Sequence, residues 1–90
     1  MPENCEETIM LTGDLHARPA GALSVAAAGF SSTVQLAVAG TEVDAKSVLS
    51  VMQLGASSGQ QVTVRATGPD AKEAVEALIG ILAEATKVGD

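Results

Sequence analysis

Imidazole, thiol and aromatic rings are nearly absent from this chain. Its 90 residues hold one histidine, one cysteine, one phenylalanine, and no tryptophan or tyrosine. A lone cysteine, Cys5, forms no internal disulfide, which separates the chain from small secreted scaffolds stapled by such bonds. One histidine, His16, and one cysteine do not build the usual zinc site of Cys and His ligands, so no metal is expected. The stacking platforms of RNA and single-strand binders are missing. A formal net charge of −6 opposes binding to phosphate backbones, so nucleic acid is not an expected partner. No uninterrupted apolar run approaches the length that spans a membrane. The segment Met1-Pro2-Glu3-Asn4-Cys5-Glu6-Glu7 is acidic where a signal peptide is basic, and a cytoplasmic location is the expectation.

What is present points to a small folded domain. Hydrophobic residues make up 47% of the chain, too many for a disordered tail. The length suits one domain over residues 1–90 and leaves little room for a deep catalytic cleft. Acids gather at the chain ends: Glu3, Glu6, Glu7 and Asp14 at one, Asp70, Glu73, Glu76, Glu84 and Asp90 at the other. Residues 15–41 carry Arg18 and no acid, and residues 45–68 carry Lys46 and Arg65 and no acid. Two locally basic segments within an acidic protein suggest a patch that meets an anionic partner.

Periodicity predicts seven elements. Residues 5–11 read as a strand, with poor alternation. Over residues 17–28, Ala20, Leu23, Ala27 and Phe30 share one helical face; Pro19 suits the first turn, and Gly29 is placed to supply a left-handed terminating residue. Val34–Val38 and residues 42–44 flank the turn signal Ala39-Gly40-Thr41 as a hairpin. Residues 46–54 read as a short helix with Ser47 as N-cap and Gly55 as stop. Gln61–Ala66 alternates as a strand until Gly68-Pro69 breaks it. Asp70 and Glu73 have capping-box spacing ahead of a helix with the apolar stripe Ala74, Ala77, Leu78, Ile81, Leu82 and Ala85. Gly80 within that helix implies either a close backbone approach or tolerance. The order βαββαβα predicts an α+β fold with an antiparallel sheet covered by helices on one face.

The chemistry lies in Leu15-His16-Ala17-Arg18-Pro19-Ala20. His16 stands where a loop becomes a helix. Orphan N–H groups and the positive end of the helix dipole favour a neutral, nucleophilic imidazole there and then favour an attached phosphate. Arg18 offers a bidentate guanidinium to phosphate oxygens. Pro19 fixes the local backbone. A general-base enzyme built on His16 is disfavoured by the lack of a second imidazole and of a Gly-rich cofactor loop.

This segment resembles the active-site segment of HPr, the histidine-containing phosphocarrier family of the phosphoenolpyruvate-dependent phosphotransferase system. A second segment, Lys46-Ser47-Val48-Leu49-Ser50-Val51-Met52-Gln53-Leu54-Gly55-Ala56, is similar to that family's regulatory-serine segment. The resemblance extends over essentially the whole chain and implies an open-faced β-sandwich, a four-stranded antiparallel sheet covered on one face by three helices. It implies a carrier, not an enzyme. His16 takes a phosphoryl group, at Nδ1 in the family, from phosphorylated enzyme I and hands it to a histidine of an enzyme IIA domain in sugar uptake. Arg18 steadies the phosphoryl group and Pro19 positions the backbone. No cofactor takes part, and the chain is expected to be a monomer. The resemblance further implies phosphorylation of Ser47 by an ATP-dependent HPr kinase/phosphorylase, and a transcriptional regulator as another partner. The alternative is a paralogue serving a nitrogen- or carbon-control phosphorelay not coupled to transport.

Ala17, Ala20, Val48, Leu49 and Met52 are expected to form an apolar docking patch beside Arg18 and Lys46, while Val51 and Leu54 are better core candidates. Two positions depart from the family. Asp14 stands where a glycine often precedes Leu-His, and aimed at the site its carboxylate would raise the histidine pKa and repel phosphate. Ser50 stands where the middle of the regulatory helix often has glycine. Cys5 reads as a buried, inert thiol.

Overall fold

The computed structural model describes residues 3–15 and 17–85. Strand β1 (Glu3–Met10) is followed by helix α1 (Ala17–Ala28), strands β2 (Thr33–Val38) and β3 (Thr41–Asp44), helix α2 (Val48–Gln53), strand β4 (Gln61–Gly68) and helix α3 (Ala71–Ala85). The strands form one antiparallel sheet in the order β1-β4-β2-β3. The helices cover one of its faces, with α3 lying on β1 and β4 and packing against α1, which in turn packs against α2. The predicted α+β architecture and element order hold.

Strict alternation builds the sheet's inner face. Val34, Leu36 and Val38 of β2 and Val62, Val64 and Ala66 of β4 are buried. The register Val34↔Ala66 and Leu36↔Val64 stacks them on the helix side. Strand β1 is an edge, where only Cys5 and Ile9 reach the core, as half-buried residues. That explains its weak alternation, and Cys5 is not the fully buried thiol expected. Leu11 falls just outside the strand, yet its side chain is 2% exposed and its N–H donates to the Gln60 carbonyl at 2.9 Å.

On α1, Ala20, Leu23 and Ala27 are fully buried. Burying a leucine such as Leu23 contributes about 1.5–3 kcal/mol. The helix does not end as predicted: Gly29 stays out of the left-handed region. Its N–H donates to the Ala26 carbonyl and that of Phe30 to the Ala27 carbonyl, both at 3.1 Å. These tighter bonds satisfy the last carbonyls without a left-handed cap. The β2–β3 hairpin turns through Ala39 and Gly40 at φ +52° and +85°, the sign pattern of a type I′ turn that matches strand twist.

Helix α3 buries Ala71, Ala74, Val75, Leu78 and Leu82 and half-buries Ala77, Ile79 and Ile81. Val75 and Ile79 widen the predicted stripe because α3 touches the sheet and α1 together. The Ala85 side chain lies outside the described residues. A Cβ on Gly80 would meet nothing within 4 Å, so tolerance, not close approach, accounts for it.

Asp70 departs from the expected capping box. Its carboxylate accepts from the N–H groups of Ser31 and Ser32, each at 2.9 Å, and from the Ser32 hydroxyl. In return the Asp70 N–H donates to Ser32 Oγ at 3.1 Å. The start of α3 is thereby tied to the α1–β2 loop. The Ser32 hydroxyl, with the Ser31 N–H next, holds the Asp70 carboxyl below its usual 3.8. A carboxyl whose pKa is lower folded than unfolded adds stability above the unfolded value and loses it as pH falls through the folded one. Asp70→Asn should therefore melt at lower temperature at neutral pH and show a flatter acid limb below about pH 4. Thermal melts across that range check it, and parallel wild-type and variant curves would refute the role of Asp70.

Candidate functional site

Position 16 lies outside the described residues, so the structure is informative about what surrounds it in the chain. Leu15 before it is only 4% exposed, and its N–H donates to the Ala56 carbonyl at 2.9 Å. Helix α1 begins immediately after it, at Ala17. The preceding loop is pinned again by reciprocal bonds, Leu11 N–H to the Gln60 carbonyl and Gly59 N–H to the Leu11 carbonyl, both 2.9 Å. Asp14 Oδ1 accepts from the Ser58 N–H at 2.9 Å. The Asp14 carboxylate thus helps to clamp the 55–60 loop, a role its place in the sequence gave no sign of.

Arg18 is exposed in the first turn of α1 and Pro19 beside it is buried. Among the described residues Arg18 makes no ion pair; both salt bridges belong to Arg65. Arg65 lies on the open face of the sheet, where it joins Glu6 at 3.0 Å and also Glu42. Of the cations in the two locally basic segments, Arg65 is therefore neutralised on the opposite side of the sheet from the helices. Exposed pairs of this kind are screened by water and salt and contribute little to stability.

Helix α2 supplies the predicted apolar patch. Val48, Leu49 and Met52 are 43%, 64% and 43% exposed, while Val51 is fully buried and Leu54 half-buried. These three large apolar side chains stay largely in water, the exposure that a docking patch requires. Ala20 is a correction: it is fully buried and belongs to the core, because it shares the inward face with Leu23 and Ala27. The Ala17 side chain lies outside the described residues. Lys46 is exposed, and its Nζ donates to the Phe30 carbonyl at 2.9 Å.

These bonds fix how α2 lies along α1. Lys46, just before α2, is held at the far end of α1 by Phe30. Ala56, just after α2, is held at the near end by Leu15. Met52 is therefore brought toward the start of α1 and Ser47 toward its end. Ser47 is the N-cap, as predicted: its Oγ accepts from the Ser50 N–H at 3.3 Å and donates to Ser50 Oγ at 3.0 Å. The side-chain bond to Ser50 was missed; the signal for it is the spacing of three between two serines at a helix start.

One open groove of about 480 Å³ lies between β1 and α3, lined by Cys5, Glu7, Lys72 and Val75 among others. The described residues thus show an open-faced sandwich with an exposed arginine in the first turn of α1 and exposed apolar side chains on α2.

Comparison with known proteins agrees. The family model for the phosphorylation site of the HPr component of the phosphotransferase system matches residues 4–84. The phosphocarrier protein HPr of Bacillus anthracis is 30% identical, with a TM-score of 0.82 over 88% of this chain and 96% of that one. An HPr from Thermoanaerobacter tengcongensis is 35% identical, with a TM-score of 0.76 over 89% and 90%. The catabolite repression containing protein Crh of Bacillus subtilis, a dimer with a swapped domain, is 39% identical, with a TM-score of 0.71 over 82% and 85%. The curated proteins give no match. The chain belongs to the HPr family of phosphocarriers. Among the described residues no helix is long and apolar enough to cross a membrane.

Proposed function

We propose that His16 accepts a phosphoryl group from phosphorylated enzyme I, itself charged by phosphoenolpyruvate, and passes it to a histidine of an enzyme IIA domain in the cytoplasm. The observation that carries this reading is the match over residues 4–84 to the family's phosphorylation-site model, with Leu15-His16-Ala17-Arg18-Pro19-Ala20 at the start of α1. In each transfer an imidazole nitrogen forms one N–P bond as another breaks. Loose phosphoryl transition states spread charge over three oxygens, so catalysis is mostly positioning and electrostatics. Arg18 supplies the cation, Pro19 and the buried Leu15 hold the backbone, and Val48, Leu49 and Met52 with Lys46 form the docking surface. The chemistry is completed by partner surfaces, so the chain is a carrier and not an enzyme.

Ser47 is proposed as a regulatory phosphorylation site for an ATP-dependent HPr kinase/phosphorylase, with a transcriptional regulator as a further partner. The antiparallel run of α2 along α1 supports one way for it to act. With Ser47 toward the end of α1, a phosphate there is remote from the first turn where Arg18 stands. It acts by putting roughly two negative charges on the docking surface.

We read the working unit as a single copy. The β1 edge carries Glu3 and Glu7 beside the Arg65-paired Glu6, and like charges along an edge oppose strand pairing. A dimer in sedimentation at working concentrations would overturn that part. A second reading, a nitrogen- or carbon-control relay not coupled to transport, draws on the 39% identity to Crh, whose name refers to catabolite repression, and it stays second because an HPr is 40% identical. Incubation with phosphoenolpyruvate, enzyme I and a IIA domain tests the first: phosphate should appear on the chain and move to IIA. Label that enters but never leaves for any IIA domain favours the second, and failure to label overturns both.

A further inference from the structure

We propose that Ser50 is a positioning residue that restrains Ser47 as a phosphate acceptor. The inference rests on the reading of Ser47 as the regulatory site. Ser47 Oγ is held twice by Ser50: it accepts from the Ser50 N–H at 3.3 Å and gives its own proton to Ser50 Oγ at 3.0 Å. The first bond is the cap and survives any replacement that keeps the backbone. The second depends on the Ser50 side chain. Both serines are half-buried, while Val48 and Leu49 between them are exposed. The pair therefore lies at the foot of the apolar patch, where the Ser47 proton meets a side-chain acceptor of its own chain.

For Ser47 to be phosphorylated by ATP, its Oγ must attack the γ-phosphorus. A new O–P bond forms, the bond from the γ-phosphorus to the β–γ bridging oxygen breaks, ADP leaves, and the hydroxyl proton passes to a base of the kinase. While that proton is shared with Ser50 Oγ, the kinase base must first win it. Geometry comes before pKa in such transfers, because the base must reach the proton it abstracts. Ser50 competes for it before the kinase arrives. A residue without the hydroxyl at position 50 leaves the proton free and the cap intact, so the departure from glycine here lowers the rate of Ser47 phosphorylation without removing the site.

The test uses the full chain, ATP and a purified HPr kinase/phosphorylase, with an HPr that this enzyme labels as a control in parallel. Ser50→Ala should raise kcat for phosphorylation about fivefold with KM little changed, the fold-change that matches one ordinary hydrogen bond. Ser50→Thr, which keeps a hydroxyl, should stay at the wild-type rate. Equal or slower labelling of Ser50→Ala, with wild type labelled on Ser47, overturns the role of Ser50 and leaves Ser47 standing. An unlabelled wild type beside a labelled control overturns the Ser47 reading itself, as does phosphopeptide mapping that finds the phosphate on Ser50. A Ser50→Thr rate equal to that of Ser50→Ala places the effect in backbone or packing and also overturns the proposal.

Discussion

His16→Ala should abolish acceptance of phosphate from enzyme I, a fall of about 10⁴-fold or more, as when a nucleophile is removed from a group-transfer site. The size of the loss follows from composition. The chain has one histidine, so no neighbouring imidazole is available to take over. The fold should survive the change, because the flanking chain is fixed by other contacts: Leu15 is buried and bonded to Ala56, and Ala20, Leu23 and Ala27 anchor α1. A melting temperature near wild type then separates loss of the nucleophile from loss of structure. Labelling of His16→Ala at the wild-type rate would place the phosphate elsewhere and end the carrier reading.

The largest effect on stability is expected far from the site, at the end of β4. Gly68 has φ +147°, and a Cβ there would stand 2.5 Å from Ser32 Oγ and 2.7 Å from Ser32 Cα. The hydroxyl can rotate away, but the backbone carbon cannot. Ser32 is also bonded to Asp70 through its N–H and its hydroxyl, so moving it breaks the link that holds α3 to the α1–β2 loop. Strained φ and overpacking each cost about 1–3 kcal/mol. Gly68→Ala should therefore lose about 3 kcal/mol or more of a total of roughly 5–13 kcal/mol for a domain of this length. Urea titration measures it. Gly80→Ala is the control, since a Cβ there meets open space and helix propensity favours alanine by about 1 kcal/mol. Equal midpoints for Gly68→Ala and wild type would contradict the described contact.

The strength and kind of local signal decided which parts of the molecule were legible. Where one face is buried, period speaks clearly, as in Val34 to Val38, Gln61 to Ala66 and the stripe of α3. At β1 the signal is weak, because an edge strand half-buries only Cys5 and Ile9. Ser47 was readable because a cap acts on residues three positions away. The Asp70–Ser32, Asp14–Ser58 and Lys46–Phe30 bonds were not, because each joins segments 16 or more residues apart. Gly29 misled for a related reason: glycine permits a left-handed end but does not require one, and the last turn tightened instead. Of the docking patch, Val48, Leu49 and Met52 were legible as a surplus of apolar residues around a two-turn helix. Ala20 was legible as core from its spacing with Leu23 and Ala27, and that face is the buried one.

The central claim, that His16 carries the phosphoryl group, is tested most directly by locating that group. After incubation with phosphoenolpyruvate and enzyme I, peptide mapping and phosphorus NMR of the intact chain should find one phosphate per molecule. It should be bonded to the His16 imidazole, lost in acid and stable in alkali. A phosphate that survives acid, maps to a serine, or fails to appear while enzyme I is itself phosphorylated would contradict the account.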